Sequence, residues 1–321
     1  MLFFYLITLA FIVHTYGDEI PKPGFFTQAE LLYLQAEENG LSYAVESSSS
    51  SHLSHARAKN LDFEWDFGFN VGIGYRISHD RWRLLLQFTS LQTHADAHHK
   101  VEDGKIFYPI WLADATLSRL FADEVKAHWR LHLGLVDFVL SKPYLETQTL
   151  TLTPQIGIRW GSVRQKFNIA YHGGNFPKDE NPLVRMKNKF EGLGPTLGLM
   201  GDYAFGKGWS LFARGSASLL YGEFYLHQDE DTLGSKEKLL GLHSIFRDVS
   251  PIIEGEAGVS WQHQFKGSLK QLTFRLAWDQ FLLFSQNQLV RFVATPQPGV
   301  IAANQGDLSI AGVNFNAAFD F

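Results

Sequence analysis

Residues 61–77 read LDFEWDFGFNVGIGYRI, with Phe63, Trp65, Phe67, Phe69, Val71, Ile73, Tyr75 and Ile77 at odd positions and Asp62, Glu64, Asp66, Gly68, Asn70, Gly72, Gly74 and Arg76 at even ones. Successive side chains of a β-strand point to opposite faces, so this unbroken period of two makes one apolar face and one polar face. The alternation outlasts the strand of an ordinary globular sheet, about 5–6 residues. It suits a tilted strand crossing a bilayer, which needs about 9–11.

The same pattern recurs outward from this segment. It appears as Trp82, Leu84, Leu86, Phe88, and as Val125, Ala127, Trp129, Leu131, Leu133, Leu135 against Lys126, His128, Arg130, His132. It returns over 150–160, 193–203, 209–221, 253–265, 272–284 and 311–321. With Thr27 to Glu37 as a first strand, the segments between these runs alternate long and short. Glu46 to Asn60, Gln92 to Ala122, His172 to Lys187, His227 to Asp248 and Gln286 to Gly306 are long, whereas Ser78 to Asp80, Ser141 to Gln148, Gly206 to Gly208 and Lys266 to Leu269 are short. Long outer loops and short inner turns are the signature of an outer-membrane barrel. Closure follows from the solvent, because a strand edge in hydrocarbon leaves backbone N–H and C=O groups without partners. The expectation is an all-β, transmembrane, antiparallel up-and-down barrel of about ten strands. Pro154, Pro195 and Pro251 each remove a ladder donor and predict bulges or strand ends. Asn39-Gly40 predicts either a tight turn with a small hairpin over 31–45 or a bulge.

The first residues, MLFFYLITLAFIVHTYG, hold an apolar run from Leu2 to Val13 that is too short to span a bilayer. They predict a signal peptide over 1–17, with the barrel over 18–321. No later apolar stretch is long enough for a helical span. Cysteine is absent, which removes disulfides, thiolate metal sites and thiol catalysis. A net charge of −5 gives no ground for nucleic-acid binding. Aromatic residues near the short turns (Tyr75, Trp82, Tyr203, Trp209, Phe265, Phe319) predict one interfacial girdle, and Phe63, Trp65, Trp160 and Tyr221 the other.

If the apolar faces meet lipid, the opposite faces line the lumen. That makes Glu64, Asp66, Arg76, Lys126, His128, Arg130, His132 and Arg159 pore-lining candidates, together with Asp202, Arg214, Glu254, Glu256, Arg275, Asp279 and Asp320. Charges of both signs can line water and set ion preference, or pair across a narrow lumen and plug it. Glu254 and Glu256 share a face, and a salt bridge to Arg275 on the next strand is expected in preference to a catalytic dyad. The histidines His94, His98 and His99, and His52 and His55, fall in loops, and no metal or cofactor is expected. FYPIWLADATLSRL, residues 107–120, has helix-like spacing and can fold inward as a constriction or lie on the rim.

Several stretches together resemble the major-outer-membrane-protein-like, pore-forming family of Legionella and chlamydia-related bacteria. They are LLYLQAEENGLSYA (31–44), FEWDFGFNVGIGYRISHDRW (63–82), YLETQTLTLTPQIGIRWGSVRQKF (144–167), NKFEGLGPTLGL (188–199), GWSLFARGSASLLYGEF (208–224), SPIIEGEAGVSW (250–261), FSQNQ (284–288) and GDLSIAGVNFNAAFDF (306–321). The resemblance implies a porin-like protein passing ions or small hydrophilic solutes without enzymatic activity. The last stretch, with Phe315, Phe319 and the terminal Phe321, also resembles the sorting signal of outer-membrane barrels, which implies insertion by the barrel-assembly machinery. A surface protein acting through its loops, a hydrolase at the barrel rim, and an oligomeric assembly remain open.

Overall fold

The computed structural model describes residues 23–48, 56–77, 81–101, 104–113, 120–177, 181–232, 238–265, 270–292, 301–303 and 306–321. The expected signal peptide lies outside them. Ten long strands form the wall: β1 (Gly24–Glu38), β2 (Trp65–Arg76), β3 (Arg83–Lys100), β4 (Glu124–Ser141), β5 (Leu150–His172), β6 (Pro182–Gly206), β7 (Trp209–Thr232), β8 (Lys238–Gln264), β9 (Gln271–Asn287) and β10 (Gly306–Asp320). Each pairs antiparallel with its neighbours in chain order, and β10 returns to β1 through pairs such as Glu30↔Asn316. The barrel is therefore closed, and its wall has no free edge. At one end sit the short connections, including Gly206-Lys207-Gly208, where all three residues have positive φ. Lys207 tolerates this at a two-strand turn flanked by glycines.

Strands β5 to β8 run for 23, 25, 24 and 27 residues. A bilayer span takes about 9–11, so half of each strand must lie elsewhere. The chemistry of the outer face locates the division. On β5 it reads Ile156, Ile158, Trp160 and then Ser162, Arg164, Lys166, Asn168, with inward-pointing Arg159, Val163, Gln165, Phe167 and Ile169 buried between them. On β6 it reads Arg185, Lys187, Lys189, Glu191 and then Leu193, Pro195, Leu197, Leu199. The lower half is a belt, apolar outside, and the upper half is a collar, polar outside. Gln92–Lys100, Pro182–Lys187, His227–Thr232 and Lys238–Asp248, expected as loops, are strand and build this collar.

Inside the collar lies an apolar core. Val125, Ala127, Trp129, Leu131, Leu133 and Leu135 of β4 face inward with Phe167, Ile169, Val184, Met186, Phe190 and Phe224. Segments from between the strands fill the centre: β1 ends at the Asn39-Gly40 turn, and the chain then carries Leu41, Tyr43 and Ala44 into the core. Ala44–Ser47 pairs with Arg57–Lys59 and Ile106–Pro109 in a small three-stranded sheet, not in a hairpin with β1. Phe107, Trp111 and Leu112 complete the filling. The expected inward fold of 107–120 holds for 107–112, as strand and irregular chain instead of helix; 114–119 lie outside the described residues.

The three prolines do not end strands or shift the register. Pro154 pairs with Leu199, Pro195 with Ile158 and Pro251 with Leu219. Each sits beside a break in the ladder on its other side. For example, the β6–β7 pairs stop at Leu193↔Tyr221 and resume in register at Thr196↔Ser218. Within that gap a Cβ on Gly194 would lie 1.7 Å from the Leu219 carbonyl oxygen, so the backbones approach too closely for any other residue.

Candidate functional site: the occluded lumen

The belt lumen is narrow, and the side chains projecting into it meet across it. Near the short turns, Arg76 Nη2 lies 2.8 Å from Asp320 Oδ1, with Arg83 3.7 Å from the same oxygen. Arg83 also stacks over the Phe26 ring at 4.5 Å, and Arg275 over Phe212 at 5.1 Å. Higher in the belt, Arg214 pairs with Glu256 at 2.9 Å, and Asn314 Nδ2 donates to Glu256 Oε1 at 3.1 Å.

At the top of the belt a continuous network crosses from wall to wall. Gln28 Nε2 donates to Gln87 Oε1 (3.1 Å), and Gln87 Nε2 to Asp137 Oδ2 (3.1 Å). Arg159 donates through Nε to Asp137 Oδ1 (2.5 Å) and through Nη2 to Glu254 Oε2 (3.2 Å), while Nη1 bonds Glu254 Oε1. Ser216 Oγ closes the chain on Glu254 Oε2 at 2.9 Å. Six strands are thereby joined through one guanidinium. A planar guanidinium held by two carboxylates is the strongest arrangement available to such a cluster. The free space among these side chains is about 30 Å³ around Arg159, Ser216 and Glu254, and about 20 Å³ beside Glu30, Asp137 and Asp279. A water needs about 10–15 Å³ of such volume, so these voids hold a water or two and no solute.

The collar core forms a second barrier above the first. Trp129 Nε1 donates to Gln165 Oε1 (3.2 Å), and Gln165 Nε2 to Glu38 Oε2 (3.1 Å), which reaches from β5 to β1. Trp111 packs edge-on to Phe167 at 5.9 Å, donates to the Ser42 carbonyl at 2.7 Å, and lies under the Arg291 guanidinium at 4.6 Å. Tyr171 Oη donates to the Tyr43 carbonyl at 2.6 Å. Burial pushes the Tyr171 hydroxyl up and the Tyr43 hydroxyl to about 12, so both remain neutral donors or dipoles in this apolar setting.

Arg76, Arg159, Asp202, Arg214, Glu254, Glu256, Arg275, Asp279 and Asp320 occupy inward positions of the belt. Glu254 and Glu256 bind Arg159 and Arg214, not Arg275, whose register partner on β8 is Ser260. Lys126, His128, Arg130 and His132 point outward, away from the lumen. They share a strand with inward Asp137, and the parity is unbroken from Val125 to Asp137, so the apolar partners of these residues fill the collar while the charges meet water. Glu64 lies 3.5 Å from the His94 ring; Asp66, 3.3 Å from that ring, keeps inward parity, opposite buried Leu34 and between outward Trp65 and Phe67. The register changes by one residue between Phe63↔Ala95 and Gly68↔Leu91 and turns this segment. Phe63 faces inward, edge-on to Trp129 at 5.4 Å, instead of joining the outer girdle; Trp65, Trp160 and Tyr221 are exposed on the outer face. Phe315 stacks on Phe274 at 5.9 Å on the outer wall, and Phe319 meets Phe321 edge-on at 4.9 Å.

His98 is bonded to Glu124 at 2.7 Å; His52 and His55 lie outside the described residues. Glu30, Arg83 and Asp137 also face the belt lumen and are not among the sequence-predicted residues. Asp137 was detectable, because it is the one charge on the odd-numbered face of β4.

The family model described as Legionella pneumophila major outer membrane protein precursor matches residues 20–321. No curated protein matches the chain. Among solved structures, the outer membrane protease OmpT of Escherichia coli is similar at 12% identity and TM-score 0.46, over 93% of this chain and 96% of that one. The Pseudomonas putida toluene transporter TodX is similar at 10% identity and TM-score 0.35, over 98% and 91%. A major outer membrane protein from Thermus thermophilus is similar at 9% identity and TM-score 0.30, over 93% and 99%.

Proposed function

This chain belongs to the Legionella major outer membrane protein family, and we propose that it serves as a sealed barrel that anchors a rigid collar at the cell surface. The observation that carries this reading is the double occlusion of the lumen: the Arg159 network across the belt, and the Trp111–Phe167 packing across the collar. A permanently open, water-filled pore is at odds with both. The collar, by contrast, presents long strands with polar outer faces above the acyl-chain belt, as a surface protein requires. The reading is non-catalytic. The belt carboxylates Asp137, Glu254, Glu256 and Asp320 are paired with arginines, and the space among the belt side chains admits at most a water or two. Insertion by the barrel-assembly machinery, implied by the terminal aromatic alternation, is part of the same proposal.

A passive, weakly selective pore for ions or small hydrophilic solutes is the second reading, and one observation favours it. The belt lumen is lined by ionisable side chains of both signs, where hydrocarbon would seal as well. Conduction then requires that residues 41–44 and 107–112 leave the collar and that the Arg159 cluster parts.

Single-channel conductance of the refolded chain in a planar bilayer separates the two. The sealed reading predicts a silent wild type, with leak appearing only when both barriers are opened together, in a Trp111→Ala, Leu112→Ala, Arg159→Ala variant. Reproducible stepwise openings of the wild type would overturn it in favour of the pore.

A further inference from the structure

The outer face of the collar just above the belt carries an array of cations on β4, β5 and β6. Register places His132, Arg164 and Lys189 in one row across the three strands, and Arg130, Lys166 and Lys187 in the next. Side chains directly opposite on neighbouring strands have Cβ atoms about 4.5–5.5 Å apart, and like charges so placed destabilise a sheet. In the first row Glu191 offsets the repulsion, 3.3 Å from Arg164 and 2.9 Å from Lys189. In the second row, among the described residues, no carboxylate lies within ion-pair distance of Arg130, Lys166 or Lys187. Arg130 instead contacts His128 Nε2 at 3.2 Å, and that imidazole is itself bonded to Asp96. Burial, and then Arg130, Lys166 and Arg164 in turn, hold the His132 imidazole below its usual range.

Height in the membrane identifies what neutralises this row. Trp160 marks the upper rim of the belt, and Lys166 follows it by six residues, about 20 Å along the strand and about 15 Å along the membrane normal once strand tilt is included. The headgroup layer is about 5–8 Å deep on each side, so the row stands just above it, where long Lys and Arg side chains reach back down toward phosphorylated sugars borne by the headgroups. Directly below, Ile156, Ile158, Leu193 and Leu197 offer an exposed apolar wall to acyl chains. Directly above lies a groove of about 460 Å³ whose lining is mainly apolar, with Asp96, Lys126, His128 and Asn168 among its polar groups.

We propose that the Arg130–Lys166–Lys187 row, with Arg164 and Lys189, binds the phosphorylated sugar headgroup of an outer-leaflet glycolipid. A phosphate bridging the row accepts from the Arg130 guanidinium and both ammonium groups, which turns a like-charge ladder into a charge-assisted network. Neither reading of the lumen affects this site, which lies on the other side of the wall.

The test uses the refolded full chain in detergent micelles containing phosphorylated lipid A, lipid A stripped of its phosphates, or inorganic phosphate at the same phosphate concentration. The reading is the temperature at which the folded, heat-modifiable band is lost. A ligand bound by the folded state alone raises it. The expected result is a rise with phosphorylated lipid A only. The variant R130Q/K166Q/K187Q, folded normally in plain detergent, should lose the rise and bind at least about tenfold more weakly. R247Q, two strands away on β8, should keep it. Equal stabilisation by dephosphorylated lipid A, or an undiminished rise in the triple variant, would overturn the site. An equal rise with inorganic phosphate would overturn the lipid as its occupant.

Discussion

The belt and the collar are halves of the same ten strands, with the same alternation and the same parity, yet their chemistry is inverted. In the belt the apolar residues point out and the charges point in; in the collar the charges point out and the apolar residues point in. On β6 the outward residue is Lys187 in the collar and Leu197 in the belt, ten positions along one face. On β4 the inward residue is Trp129 in the collar and Asp137 in the belt. Parity is fixed by backbone pleating and cannot change without a bulge. The solvent is what changes, from lipid to water, and the side-chain chemistry follows it. Each half then needs its own way to fill the lumen: ion pairs below, hydrocarbon above.

The largest break in this comparison should come from Arg159→Ala. It leaves Asp137 and Glu254 buried without their shared partner, and a loss of about 3–5 kcal/mol is expected for such a site. Chemical denaturation of the folded barrel in detergent or vesicles measures it; a loss under about 1 kcal/mol would show that the network is not what holds the belt closed.

A pair of substitutions on one face of β6 sharpens the inversion. Leu197, 60% exposed to the lipid side, should cost about 2–4 kcal/mol when changed to Arg. Lys187→Leu, in water and without the glycolipid, should stay within about 0.5 kcal/mol. Equal costs at the two positions would place the membrane boundary elsewhere.

A smaller effect is expected at Glu38, which is buried in the collar and receives Gln165 on Oε2 while Oε1 has no partner among the described residues. Burial raises this carboxyl above its ordinary value, and the Gln165 bond opposes the shift in part. The folded state therefore keeps a proton that the unfolded state releases, and this group's contribution to stability falls as pH rises above the ordinary carboxylate range. Glu38→Gln should remove that fall, with little change at acid pH. A parallel pH profile for wild type and variant would mean the carboxyl is hydrated in the folded state.

How much of this was legible in the sequence follows from the same inversion. Strand direction, closure, the ten-strand count and the two-residue period of the wall strands could be read from alternation such as Phe67, Phe69, Val71, Ile73, because pleating depends on the local sequence alone. Arg159, Arg214 and Glu256 could be placed inward because they oppose lipid-facing residues. Lys126, His128, Arg130 and His132 were misplaced, because a rule that sends apolar residues outward holds only inside the bilayer, and a strand's height is not encoded in its alternation. The clue was available in Asp137, whose charge shares a face with Trp129 and Leu131. The inward course of Leu41–Ala44 and Phe107–Leu112 depends on contacts far apart in sequence, which alternation does not carry.

Because the chain has no cysteine of its own, single cysteines along β5 test the central claim most directly. Positions 158, 163, 164, 166 and 167 would be labelled in turn in reconstituted vesicles with a membrane-impermeant maleimide. Rapid labelling is expected at 164 and 166, protection in lipid at 158, and protection in the packed collar at 163 and 167. Labelling at 163 and 167 as fast as at 164 and 166 would contradict this expectation, since it would mean that the collar is filled with water and the lumen is open.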